Sequence, residues 1–148
     1  MKKVLVVYFS LTGKTKKMAD YIAEGVRFSG QEAVTKRTAD IRTVDDLAGY
    51  DGYIFGSPTY HRDMAGPMKN FLFLAAKAGL GGTLAGAFGS YTHSGDAPAL
   101  IFDTMQYVYK MRPLELGSFN LREAIVDTAD GMRACQDYGR VFGEKLGA

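Results

Sequence analysis

The 148-residue sequence has one cysteine and two histidines. A lone thiol forms no intramolecular disulfide and no thiolate metal cluster. His61 and His93 stand far apart, so the short spacing of a metal-binding histidine pair is missing too, and no metal is expected. Charge of one sign is not in excess: 18 basic against 16 acidic residues leave a formal net charge of +2. That balance gives no reason to expect a nucleic-acid partner. No apolar run approaches the roughly 18 residues of a membrane span, so no membrane partner is expected. Residues 4–9, behind Lys2 and Lys3, are apolar, but they lack a small-residue cleavage site and end in Ser10-Leu11-Thr12-Gly13. They read as a buried strand rather than a leader, and the expectation is a soluble, cytoplasmic protein. There is no internal repeat, linker or low-complexity stretch.

What is present is ordinary globular composition, with 47% hydrophobic and 23% charged residues. The length suits a single domain over residues 1–148. Strand-like and helix-like segments alternate. Residues 3–9 form a continuous β-branched run, as in a parallel strand buried on both faces. Residues 13–28 carry Met18, Ile22 and Val26 on one stripe and read as a helix closed near Gly30. A weaker strand follows at 32–37. Thr43 then stands as N-cap of a short helix over 44–48, with Asp45 and Asp46 in its first turn. A third strand is expected at 52–56, and a helix opened by Pro67 follows, with Met68, Phe71, Leu72 and Ala75 on one face. The pattern predicts a fourth strand at 84–89 and a helix at 97–109 with Ile101, Met105 and Val108 inward. Short strand pieces are expected at 114–116 and 124–126, and a closing helix at 130–146 carries Met132, Cys135, Tyr138 and Phe142 in line. This alternation implies an α/β fold: an open five-stranded parallel sheet of order 2-1-3-4-5 with helices on both faces.

Ligands of such sheets bind beyond the carboxyl ends of the strands, where the strand order reverses. Three loops converge there. Ser10-Leu11-Thr12-Gly13-Lys14-Thr15 joins the first strand to a helix N-terminus and brings hydroxyls, a glycine and free backbone N–H groups together, which suits a phosphate. Its end, Gly13-Lys14-Thr15, is similar to a Walker A loop, but that motif needs a glycine where Tyr8 stands. The second loop, residues 56–67, is long for its position and holds Tyr60, His61 and Arg62. The third, residues 89–97, offers Tyr91 among small polar residues. Two aromatic-bearing loops beside a phosphate cradle describe a slot for a flat ring joined to a phosphate, and FMN fits that description.

The first loop resembles the flavodoxin phosphate loop, whose usual form is Thr/Ser-x-Thr-Gly-x-Thr. Residues 56–72 are similar to the flavin loop of flavodoxin-like quinone reductases and flavodiiron proteins. Gly89-Ser90-Tyr91-Thr92-His93-Ser94-Gly95 resembles the Gly-Ser-Tyr-Gly-Trp-Ser-Gly loop of the flavodiiron flavodoxin domain. The resemblance covers essentially the whole chain. It implies that Ser10, Thr12, Gly13, Lys14 and Thr15, with the Leu11 backbone, hold the FMN phosphate. It implies that Pro58, Thr59, Tyr60 and His61 border one face and the N5 edge of the ring. Ser90, Tyr91, Thr92, His93 and Gly95 would border the other face and the pyrimidine edge, with Tyr91 the stacking aromatic and Tyr60 second. The sequence departs from the family in carrying His93 where tryptophan is common, in lacking an acidic surface, and in lacking the long-chain insertion and any iron-binding domain.

The resemblance implies an electron-transfer flavoprotein that shuttles electrons between redox partner proteins, docked transiently at the flavin edge near Arg62. The absence of a catalytic-triad pattern agrees with that role, since the flavin carries the chemistry. An NAD(P)H-dependent quinone or small-acceptor reductase is a second reading, and a flavin-free interaction module a third. The cations His61, Arg62 and His93 predict a hydroquinone potential less negative than that of acidic flavodoxins. Cys135, on the apolar side of the last helix, is expected to be an inert buried thiol.

Overall fold

The computed structural model describes residues Met1–Ala148. Strand β1 (Lys3–Tyr8) is buried at every position after Lys3, because parallel neighbours and helices cover all its sides. It pairs in parallel with β2 (Glu32–Arg37) on one side and β3 (Gly52–Gly56) on the other. Helix α1 (Lys14–Phe28) makes the first crossover. After β3 the chain forms a two-residue ribbon of β4 (Thr59–Tyr60) and β5 (Asp63–Met64), then α2 (Gly66–Ala75). Strand β6 (Leu84–Tyr91) pairs in parallel with β3. Helix α3 (Asp96–Asp103) continues into a wider π-type turn at Thr104–Val108. Strands β7 (Arg112–Pro113) and β8 (Phe119–Arg122) both pair in parallel with β6, and α4 (Glu123–Val126) and α5 (Ala129–Gly147) close the chain. The sheet therefore runs β2-β1-β3-β6 and then β7 with β8, which is the expected order with its fifth strand in two pieces.

Alternate residues of β1 serve opposite faces, as the two-residue period requires. Val4 and Val6 join Ile54, Phe88, Met18, Ile22, Tyr138 and Phe142 beneath α1 and α5. Leu5 and Val7 join Phe55, Met68, Phe71, Ile101 and Met105 beneath α2 and α3. On the first face the helices come backbone to backbone. A Cβ on Gly139 would lie 1.9 Å from the Ile22 carbonyl oxygen, and one on Gly25 the same distance from that of Gln136.

Three expectations are corrected. Residues 114–116 are not a strand: Leu114 is buried, but it follows β7 into a turn. Residues 124–126 are one turn of helix, α4, and the strand precedes them as β8. Runs this short carry too little periodicity to separate strand from helix. Third, Val108 is 65% exposed rather than inward. The extra residue of the π-type turn rotates the register, so that Tyr109 takes the core position and donates to the Leu72 carbonyl.

Candidate functional site

Three connections meet at the carboxyl ends of β1, β3 and β6. In the first, Gly13 adopts φ +96°, a conformation open to glycine without strain, and starts α1 with no side-chain cap and no acid in the first turn. The Ser10 hydroxyl accepts from the Gly13 N–H at 3.0 Å and shapes the turn. Thr15 is 2% exposed, and its hydroxyl lies 3.0 Å from that of Ser90, so the first and third loops are joined under the cleft. Thr12 donates to the Glu123 carboxylate at 3.1 Å. The Lys14 ammonium is held by Asp127, a carboxylate it shares with Lys17.

The second connection is organised by Ser57, which is fully buried. Its hydroxyl accepts from the Ala65 N–H at 3.0 Å and donates to the Pro58 carbonyl at 2.9 Å. The stretch read from sequence as one long loop thus contains the β4–β5 ribbon, with exposed His61 and Arg62 at its tip at φ +50° and +65°. Positive φ at both central residues is what a tight hairpin turn of this hand demands. The Thr59 hydroxyl accepts from the Ala97 N–H at 3.0 Å and so caps α3 from across the site. Burial, with the Glu123 charge adding to it, pushes the Tyr60 hydroxyl up from its ordinary pKa.

In the third connection Tyr91 is half-buried, with the Arg122 guanidinium over its ring. Arg122 also donates to the Thr92 carbonyl at 3.3 Å. The Asn120 amide donates to the Gly95 carbonyl at 2.6 Å, while Asn120 Oδ1 is buried without a partner. A Cβ on residue 95 would meet that amide at 1.9 Å, which explains the glycine.

Two adjoining cavities open between these loops and share Thr59, Tyr60 and Thr92. The inner one, about 140 Å3, is lined by Leu11, Thr12, Thr15, Pro58, Ser90 and Tyr91 as well. The outer one, about 370 Å3, lies between the tips carrying His61 and Arg62 and those carrying His93 and Ser94. Ser10 and Gly13 face a different cavity, Lys14 turns toward Asp127, and Gly95 stands behind the third loop against Asn120. Sequence reasoning missed Ser57, Asn120, Arg122 and Glu123. The last three sit at the end of the fifth strand, which short-run periodicity had misplaced.

The donor set suits a phosphate joined to a flat ring. Thr12, Thr15 and Ser90 bring hydroxyls near a helix N-terminus without a side-chain cap, and Tyr60 and Tyr91 line the inner cavity that leads into the wider space. Glu123 is the discordant group, a carboxylate lining the same cavity and already engaging Thr12.

A family model described as a flavodoxin domain matches residues 5–88, more than half of the chain. Among solved structures, the chain is similar to a flavodoxin from the domain Archaea, with 28% identity, a TM-score of 0.89 and 99% of each chain covered. It is similar to flavodoxin 1 from Bacillus cereus, with 24% identity, a TM-score of 0.81, and 95% of this chain and 96% of that chain covered. It also resembles the flavodiiron protein from Giardia intestinalis, at 22% identity and a TM-score of 0.88, where 99% of this chain covers 36% of the other.

Proposed function

The chain belongs to the flavodoxin domain family, and on that premise we propose that it binds FMN and carries electrons between redox proteins. The observation that carries this reading is the buried Thr15–Ser90 hydroxyl pair, which ties the phosphate loop to the third loop at the floor of the cleft. When bound, FMN supplies the one- and two-electron chemistry. The chain's task is to hold it. The first turn of α1, with Thr12, Thr15 and Ser90, would receive the phosphate, and the Thr12 hydroxyl would exchange the Glu123 carboxylate for it. Tyr60 and Tyr91 border the ring. His61, Arg62 and His93 line the outer cavity, where a redox partner docks transiently over a small interface. No helix is long and apolar enough to cross a membrane.

The test is titration of dialysed protein with FMN, read as flavin fluorescence, followed by stepwise reduction read as absorbance. Saturable uptake of one FMN per chain, with a spectrum that bleaches and recovers, is the expected result. Failure to take up FMN at micromolar concentrations overturns the reading. Sustained NADH or NADPH oxidation with a quinone and no partner protein replaces the carrier with a reductase.

A further inference from the structure

A cavity of about 640 Å3, roomier than the two clefts above, lies on the other side of the first loop from them. It is walled by the carboxyl ends of β1 and β2, the turn that follows β2, and one face of α2. Its size falls within the roughly 300–1,000 Å3 of small-molecule sites. Tyr8, Phe9, Ile41, Phe71 and Leu74 give it apolar and aromatic walls, and Leu11, 70% exposed, stands at its edge.

Its charge is one-sided. Lys16 and Arg37 line it, and no aspartate or glutamate does. Both cations are paired, but with carboxylates outside the cavity: Lys16 with Asp20 at 2.9 Å and Arg37 with Asp40 at 2.9 Å. These cationic side chains are 57% and 63% exposed, so solvent screens the pairs and leaves them weak. Asp40 engages Nε and Nη2 of Arg37 and leaves Nη1 free, while Asp20 takes one ammonium proton of Lys16. The Tyr8 hydroxyl completes the polar side. Burial pushes its pKa up, so it remains a neutral donor at physiological pH.

We propose that this cavity is a second ligand site, for a small aryl carboxylate. The ring lies among Phe71, Ile41 and Leu74, and the carboxylate meets Lys16 and Arg37. An inorganic anion would leave the apolar walls wet, and a neutral arene would leave unused the donors that Asp20 and Asp40 do not take, Nη1 of Arg37 and the remaining ammonium protons of Lys16. The site is distinct from the flavin reading: the two share the first loop and the start of α1, but Arg37, Ile41, Phe71 and Leu74 line this cavity and neither of the two clefts.

The test is calorimetric titration of the full chain with 2-naphthoate, with and without saturating FMN. One saturable site that persists in the presence of FMN is expected, with 2-naphthamide weaker by about tenfold. Arg37→Gln should weaken naphthoate binding by a similar factor. Asn70→Trp fills the cavity from an exposed position on α2 and should abolish binding while leaving the urea midpoint unchanged. The absence of saturable binding at millimolar naphthoate overturns the proposal. So does displacement by FMN, which places the naphthoate in the flavin cleft, and so does undiminished binding to the Asn70→Trp protein.

Discussion

The Arg122 guanidinium lies 5.4 Å from the centroid of the Tyr91 ring and is fixed there by the Thr92 carbonyl. A cation on one face of an aromatic side chain that lines the proposed flavin cleft would stabilise electron density added there. Coulomb attraction across the thickness of the ring, near a protein surface, is worth about 1 kcal/mol, or on the order of 40 mV for a one-electron couple. Arg122→Gln should therefore make the midpoint potential of bound FMN more negative by about that amount. Spectroelectrochemical titration of the variant beside the parent measures it. Equal potentials would remove Arg122 from the tuning of the site and leave His61, Arg62 and His93 to account for any unusual value.

Thr15 and Glu123 should pull FMN affinity in opposite directions. Thr15→Val removes a hydroxyl proposed to meet the phosphate and leaves the buried Ser90 hydroxyl without its protein partner. Hydrogen bonds to charged groups are worth about 1.5–3 kcal/mol, so the dissociation constant should rise by roughly ten- to a hundredfold. Glu123→Gln removes a negative charge from the same cleft while keeping an acceptor for Thr12. Its affinity should increase by about threefold to tenfold, most at low salt. Fluorescence titration at two ionic strengths reads both, and weaker binding by the Gln variant would mean that Glu123 is needed to shape the loop.

Tyr138 closes the gap in the fifth strand. Strand β7 pairs with Leu84 and Ala85, and β8 with residues from Phe88 onward, which leaves Gly86 and Ala87 between them. The Tyr138 hydroxyl accepts from the Ala87 N–H at 3.2 Å and donates to the Gly117 carbonyl at 2.7 Å. Tyr138→Phe leaves the buried Ala87 N–H unsatisfied and takes a donor from the half-buried Gly117 carbonyl, and should destabilise the chain by about 1–3 kcal/mol. Urea unfolding at fixed pH measures it.

The same residue shows where sequence reading runs out. Strands β1, β3 and β6 are legible because each is a run of apolar and small residues set by burial on both faces. The strand order follows from crossover handedness once the alternation is seen. The phosphate loop is legible because glycine, hydroxyls and a helix start are local features. Strands β7 and β8 are held by a side chain on α5 and by Gly117 at φ +82°, and no window of a few residues contains that information. Arg122 and Glu123 become visible only when β8 carries them beside the first and third loops. The outward turn of Val108 is hidden for a related reason: one extra residue in a helical turn leaves no mark on composition.

Burial sets the alkaline limit of the fold. It pushes the Cys135 thiol up to about 12 and the Tyr109 hydroxyl up to about 12. The unfolded chain gives up the thiol proton near 9 and the phenol proton near 10, so above those values the folded form holds protons that the unfolded form has lost. Stability from these groups is complete below about pH 9 and is lost as the pH rises toward 12. The urea midpoint should be level between about pH 7 and 9 and then fall steadily. Cys135→Ala should flatten the first part of that fall, and Tyr109→Phe the part above it. In the native protein at pH 8 the thiol should react with a disulfide reagent only as fast as the chain opens, so the rate should rise with urea. A native-state rate close to that of the unfolded chain would place Cys135 at the surface and remove the thiol from this account.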